Sequence, residues 1–167
     1  RIKFLIYENN LIIGRANKYL LPFAEKILIS FKEIEGVHHK YKDKVIEIGN
    51  IIKKEIINLS KGLRQNDEQK ISILILGGSQ AAKIFAEVLP NILHQCSKKG
   101  IPLKIYQQCL PDQNEQLNSM YKNFNFDFET FNFSHNLMKY FPKINLAITR
   151  SGSSILAELT NTNIPFI

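Results

Sequence analysis

At 167 residues and 44% apolar side chains, the chain is long enough for one full α/β domain and part of a second. Its 22 Lys and Arg against 15 Asp and Glu give a net charge of +7, which favours anionic partners without choosing among nucleotides, nucleic acid and acidic lipid headgroups. Cys96 and Cys109, with no CxxC spacing and no clustered histidine, argue against a disulfide framework or a structural metal, and no apolar run reaches the length of a membrane span.

In chain order, Ile2 to Tyr7 has the composition of a strand, and Leu11 to Phe23 shows helical spacing that ends near Pro22. Short β-like runs follow at Ile27 to Ser30 and Val45 to Ile48, and Gly49-Asn50 breaks the pattern. Ile51 to Arg64 places Ile52, Ile56 and Leu59 at helical spacing, and Gln65 to Gln69 is polar enough for a linker. From Ile71 onward strands and helices alternate. Strands are predicted at 71–76, 102–107, 125–131 and 144–149, helices at 80–96, 112–122, 135–141 and 152–161, and a last strand opens at Ile164. This order predicts an α/β fold: a Rossmann-like parallel sheet with helices on both faces, preceded by the tail of a second Rossmann-like domain. The expected division is residues 1–49 for that tail, 50–69 for a linker and helix, and 70–167 for the larger domain. Arg1 in place of an initiator methionine, and the apolar Ile164-Pro165-Phe166-Ile167, predict a fragment or a chain that expects a partner.

The chemistry sits at two corners. Ile71 to Leu76 is a near-continuous β-branched run that breaks at Gly77-Gly78, and Ser79 is placed to cap the helix that follows. Free N–H groups and the positive end of the helix dipole then make an anion site that needs no cationic side chain. Leu146 to Thr149, followed by Arg150-Ser151-Gly152 and a second helix, repeats the pattern. Two such corners in one sheet predict a nucleotide cleft. The four histidines, His38, His39, His94 and His135, share no ligand spacing and read as surface or packing residues.

The spelling of these corners is narrower than their grammar. Leu76-Gly77-Gly78-Ser79-Gln80-Ala81-Ala82, with Thr149-Arg150-Ser151-Gly152 and Glu158 eight residues after the arginine, resembles the MurG group of glycosyltransferase family 28. Tyr7-Glu8-Asn9-Asn10 with Gly14 and Asn17-Lys18 is similar to that group's His-Glu-Gln-Asn segment, and Ile48-Gly49-Asn50-Ile51-Ile52-Lys53 to its interdomain Val-Gly-Asn-Pro-Val-Arg. Tyr7 stands in place of the histidine, Ala81 of a glycine, Ile51 of a proline and Lys53 of an arginine.

The resemblance implies a GT-B fold, with UDP-N-acetylglucosamine bound mainly by the second domain and lipid I as acceptor. It implies inverting, metal-independent transfer without a cofactor, in peptidoglycan synthesis at the cytoplasmic face of a bacterial inner membrane. The carried-over roles are these: Gly77, Gly78 and Ser79 at the pyrophosphate or uridine edge, with Gln80 beside them as a further substrate-binding residue; Glu158 at the ribose hydroxyls; Arg150, Ser151 and Gly152 lining the second corner; Gln108, Phe133 and Ser134 near the uracil. Asn10 falls near the acceptor diphosphate or the reacting hydroxyl, and Lys53 faces a phosphate. The catalytic base is expected outside this sequence. The partners expected are therefore the donor, the acceptor, an anionic membrane surface and a chain carrying the missing half, but not nucleic acid. A UDP-sugar-binding subunit that is inactive without such a chain is the alternative, and a basic nucleic-acid-binding protein is the rival from another class.

Overall fold

The structure is a computed structural model, and it describes residues 2–59, 69–132 and 137–167, with the side chains of 78–82 left out. The chain divides into two compact units, Arg1–Lys53 and Lys54–Ile167.

The first unit is a three-stranded parallel sheet ordered β1 (Leu5–Glu8), β2 (Lys26–Ile29) and β3 (Val45–Glu47). Ile6, Ile13, Leu21, Ala24, Ile27 and Ile29 form its core. The helix predicted over Leu11–Phe23 is only α1 (Arg15–Leu20). Leu11 to Ile13 are extended instead, since the Ile13 N–H donates to the Glu35 carbonyl (3.0 Å) and the Glu35 N–H to that of Leu11 (2.8 Å). Tertiary pairing here overrides helical spacing. At the other end of α1 the Lys44 ammonium caps the carbonyls of Leu21, Pro22 and Ala24 at 3.2, 3.1 and 2.6 Å.

The second unit opens with α2 (Lys54–Leu59), which starts three residues later than its spacing predicts; Ser60 to Arg64, and the linker residues up to Glu68, lie outside the described residues. A four-stranded, all-parallel sheet follows, ordered β6-β5-β4-β7, where β4 is Ile71–Leu76, β5 Leu103–Gln108, β6 Asp127–Phe131 and β7 Leu146–Thr149. The helices are α3 (Gly78–Lys98), α4 (Asn114–Lys122) and α5 (Ser153–Asn161). The α/β class expected from the alternation is the one observed. β4 is central, and Ser72 through Leu76 are all buried, which is why its sequence runs apolar instead of alternating. One face of the sheet packs Ile73, Ile75, Leu103 and Ile105 against Ala86 and Leu93 of α3 and Leu117 and Tyr121 of α4. The other carries Tyr106 against Tyr140, ring centroids 5.0 Å apart.

Gly100 ends α3 with φ +80°, its N–H bonded to the Ser97 carbonyl (2.9 Å) and the Ile101 N–H to that of Cys96 (3.3 Å). That is the left-handed closure a β-carbon would strain. The helix predicted at 135–141 is replaced, within the described residues, by 3₁₀ turns at Leu137–Lys139 and Phe141–Lys143. Pro142 has no N–H to continue an α-helical ladder, and Tyr140 and Phe141 are buried at the break. The strand expected from Ile164 is reduced to one parallel bridge, Phe166 to Ala147.

Candidate functional site

β4 and β7 are hydrogen-bonded neighbours with Leu76 opposite Thr149, so the corners that follow them open side by side on the carboxyl edge of the sheet. β4 hands the chain to β5 on one side, and β7 has returned on the other. This reversal of strand order is where open α/β sheets leave a crevice for a ligand. The predicted residues Gly77, Gly78, Ser79, Gln80, Arg150, Ser151 and Gly152 are brought together here by the backbone. Gln107 pairs with Ile75, which places Gln108 beside Leu76 on the same edge. Glu158 lies half-buried in the second turn of α5. Phe133 and Ser134 lie outside the described residues, and Asn10 and Lys53 belong to the first unit.

The cap is not where it was expected. Gly77 occupies the N-cap of α3 with φ −95° and ψ −22°, and Ser79 lies inside the helix. Gly152 caps α5 with φ −73° and ψ 127°. Neither cap has a side chain, and neither helix has an acidic residue in its first turn. The first-turn N–H groups of both helices therefore meet no acceptor from their cap residue and no local negative charge, which suits them to an anionic ligand. The turn into α5 is tight: the Arg150 carbonyl accepts from the Gly152 N–H (2.8 Å) and from Thr149 Oγ1 (3.2 Å), and the Arg150 side chain is exposed.

The carboxyl edge of the first sheet is built in the opposite way. Glu8, the last residue of β1, is only 3% exposed. Its Oε1 accepts from the Asn10 N–H (3.1 Å) and Asn10 Nδ2 (2.7 Å), and its Oε2 from the Gly14 N–H (2.8 Å) and Asn17 Nδ2 (3.0 Å). Burial pushes this carboxyl up, but the Gly14 N–H and the Asn17 and Asn10 donors together outweigh it and hold it below the usual carboxylate range. Next to it, the Tyr7 hydroxyl pairs with Ser30 Oγ (2.8 Å) and accepts from the Ile51 N–H (3.1 Å). The phenol thus ties the ends of β1 and β2 to the segment that leads to Lys53.

Comparison with known proteins decides the family. Residues 72–167 match the glycosyltransferase family 28 C-terminal domain. This chain belongs to glycosyltransferase family 28. A relative from Pelagibacter ubique (strain HTCC1062), named UDP-N-acetylglucosamine--N-acetylmuramyl-(pentapeptide) pyrophosphoryl-undecaprenol N-acetylglucosamine transferase, is 36% identical over 99% of this chain and 46% of its own length. A protein of the same name from Rickettsia canadensis (strain McKiel) is 34% identical over the whole chain and 48% of its own. The crystal structure of Acinetobacter baumannii MurG superposes with a TM-score of 0.65 at 25% identity, covering 95% of this chain and 42% of that one. The chain thus spans about half the length of the curated relatives it matches.

Within this family 28 chain, sequence reasoning assigned no role to Glu8 and left Tyr7 as a bare substitution. The available signal was an acid closing an apolar strand with asparagines two and nine residues later. A groove of about 410 Å³ between α3 and α4, lined by Lys83, Glu87, Asp112, Gln113 and Met120 among others, contains none of the predicted site residues.

Proposed function

We propose that this chain carries the donor-binding part, and the end of the acceptor-binding part, of an inverting, metal-independent transfer of N-acetylglucosamine from UDP-N-acetylglucosamine to undecaprenyl-pyrophosphoryl-N-acetylmuramyl-pentapeptide. The observation that carries the reading is the pair of side-chain-free helix corners, Gly77 and Gly152, on adjacent strands at the switch point of the sheet. The relatives' shared name and the family 28 match support it. In this reading residues 70–167 bind the donor, 50–69 link, and 1–49 end the acceptor domain.

The mechanism follows from where charge develops. As the acceptor hydroxyl attacks the anomeric carbon, negative charge moves onto the departing diphosphate. Fixed N–H groups at Gly78–Gln80 and Ser153–Ile155 stabilise that charge without having to reorganise. Arg150 adds an exposed cation beside the second corner, and Glu158 accepts hydrogen bonds from the ribose hydroxyls. The net charge of +7 supports a peripheral, cytoplasmic-face docking on anionic lipid. No helix among the described residues is long and apolar enough to cross a membrane.

Calorimetric titration of the chain with UDP-N-acetylglucosamine, UDP-glucose and ADP tests the reading. Both uridine nucleotides should bind and ADP should not. A folded chain that binds no uridine nucleotide would sink the donor-site assignment, and steeply salt-dependent binding of oligonucleotides instead would favour the nucleic-acid rival.

A further inference from the structure

Two of this chain's departures from the family pattern meet in the structure. Tyr7 stands in place of a histidine and Ile51 in place of a proline, 44 residues apart, and the Ile51 N–H donates to the Tyr7 hydroxyl at 3.1 Å. A proline could not make this bond, because its nitrogen carries no hydrogen. After β3 the chain reverses at Gly49, whose φ of +79° lies in the left-handed region, and crosses back past the carboxyl end of β2 to meet Tyr7 on β1. The Ile51 side chain does not anchor it there, being 68% exposed. The phenol oxygen is itself fixed, 2.8 Å from Oγ of Ser30 at the end of β2, and Ser30 is only 8% exposed.

We propose that Tyr7 is a positioning residue whose hydroxyl does for residue 51 what a proline ring does by covalent restraint. It limits the backbone at Ile51, and with it the direction in which Ile52 and Lys53 leave the first sheet. A proline at this place fixes φ near about −65° with no partner. Isoleucine is freer to rotate and carries an N–H, and the tyrosine supplies the acceptor that restrains it. The two departures are thus one coupled exchange. Only the use of Lys53 toward a phosphate rests on the transferase reading above; the coupling of Tyr7 to Ile51 does not.

Amide exchange of the isotope-labelled whole chain tests the coupling without any ligand. Tyr7→Phe keeps the ring and removes the hydroxyl, so the Ile51 N–H should exchange about fivefold faster, the worth of one ordinary hydrogen bond, and the amide signals of Ile52 and Lys53 should move. In the Ile51→Pro background the same change should leave those two signals where Ile51→Pro alone puts them, since the donor is already absent. Ile51 exchange unchanged in Tyr7→Phe, or Ile52 and Lys53 signals that move equally in both backgrounds, overturns the proposal. Inorganic pyrophosphate, titrated onto the same samples and followed at Lys53, should bind about two- to threefold more weakly to Tyr7→Phe than to the parent and regain the parent affinity when Ile51→Pro is added. Equal affinity for the parent and Tyr7→Phe overturns the positioning of Lys53. Failure of the parent itself to bind pyrophosphate counts against the phosphate role in the transferase reading, and the exchange result still decides the coupling.

Discussion

The two parallel sheets of this chain finish their first strands in opposite ways. β1 ends in a buried carboxylate that accepts from four N–H donors on the residues after it, while the corners after β4 and β7 place glycines at the N-caps of the following helices, so that neither cap residue offers a side-chain acceptor. Where the protein supplies its own anion, the residues after the strand are hydrogen-bonded to it from within. Where the cap residue is a glycine, it supplies no such anion to the first turn of the helix. The same strand-to-loop grammar thus gives a loop hydrogen-bonded from within in one unit and, in the proposed reading, a diphosphate site in the other.

The largest break in this comparison comes from Glu8→Ala. It strands two backbone N–H groups and two side-chain amides around a buried site, and should cost the first unit about 3 kcal/mol in urea unfolding. Acid should act in the same direction. The folded pKa of Glu8 lies below its ordinary value of 4.5, so its contribution is fully present above that pH and is lost as pH falls through the depressed folded value. A stability-versus-pH series should fall at the acid end for the parent and flatten for Glu8→Gln.

Gly152→Asp would turn the second kind of corner into the first. The backbone at 152 is extended, and an added β-carbon meets only Ile155 Cγ2 at 3.5 Å, an ordinary contact. Aspartate should cap α5 and raise stability by about 0.5–1 kcal/mol, yet lower UDP affinity about tenfold or more by occupying the site with a like charge. Stability and binding moving together would contradict the assignment. The smallest effect on folding is expected for Arg150→Ala, within about 0.5 kcal/mol because the side chain is exposed, with UDP affinity reduced about fivefold.

The placement of the two corners of the second unit was legible in the sequence because glycines and a continuous apolar strand mark a strand end locally. Leu76-Gly77-Gly78 and Arg150-Ser151-Gly152 could be placed at strand ends without knowing the sheet order. Which corner lies beside which required the register of β4 against β7. The first unit was less legible. The shortening of α1 depends on Leu11–Ile13 pairing with Glu35, and the role of Glu8 depends on Asn17 returning to it from nine residues away. The 3₁₀ turns around Pro142 were foreshadowed by that proline, which the helical spacing of 135–141 obscured.

The most direct test follows the backbone amide signals of the isotope-labelled chain during titration with UDP. The account predicts that the N–H signals at Gly78–Gln80 and Ser153–Ile155 shift together with one affinity, while those of Gly14 and Asn10, already bonded to Glu8, stay fixed. UDP binding that leaves both corners unmoved, or that shifts only the Glu8 loop, would contradict it.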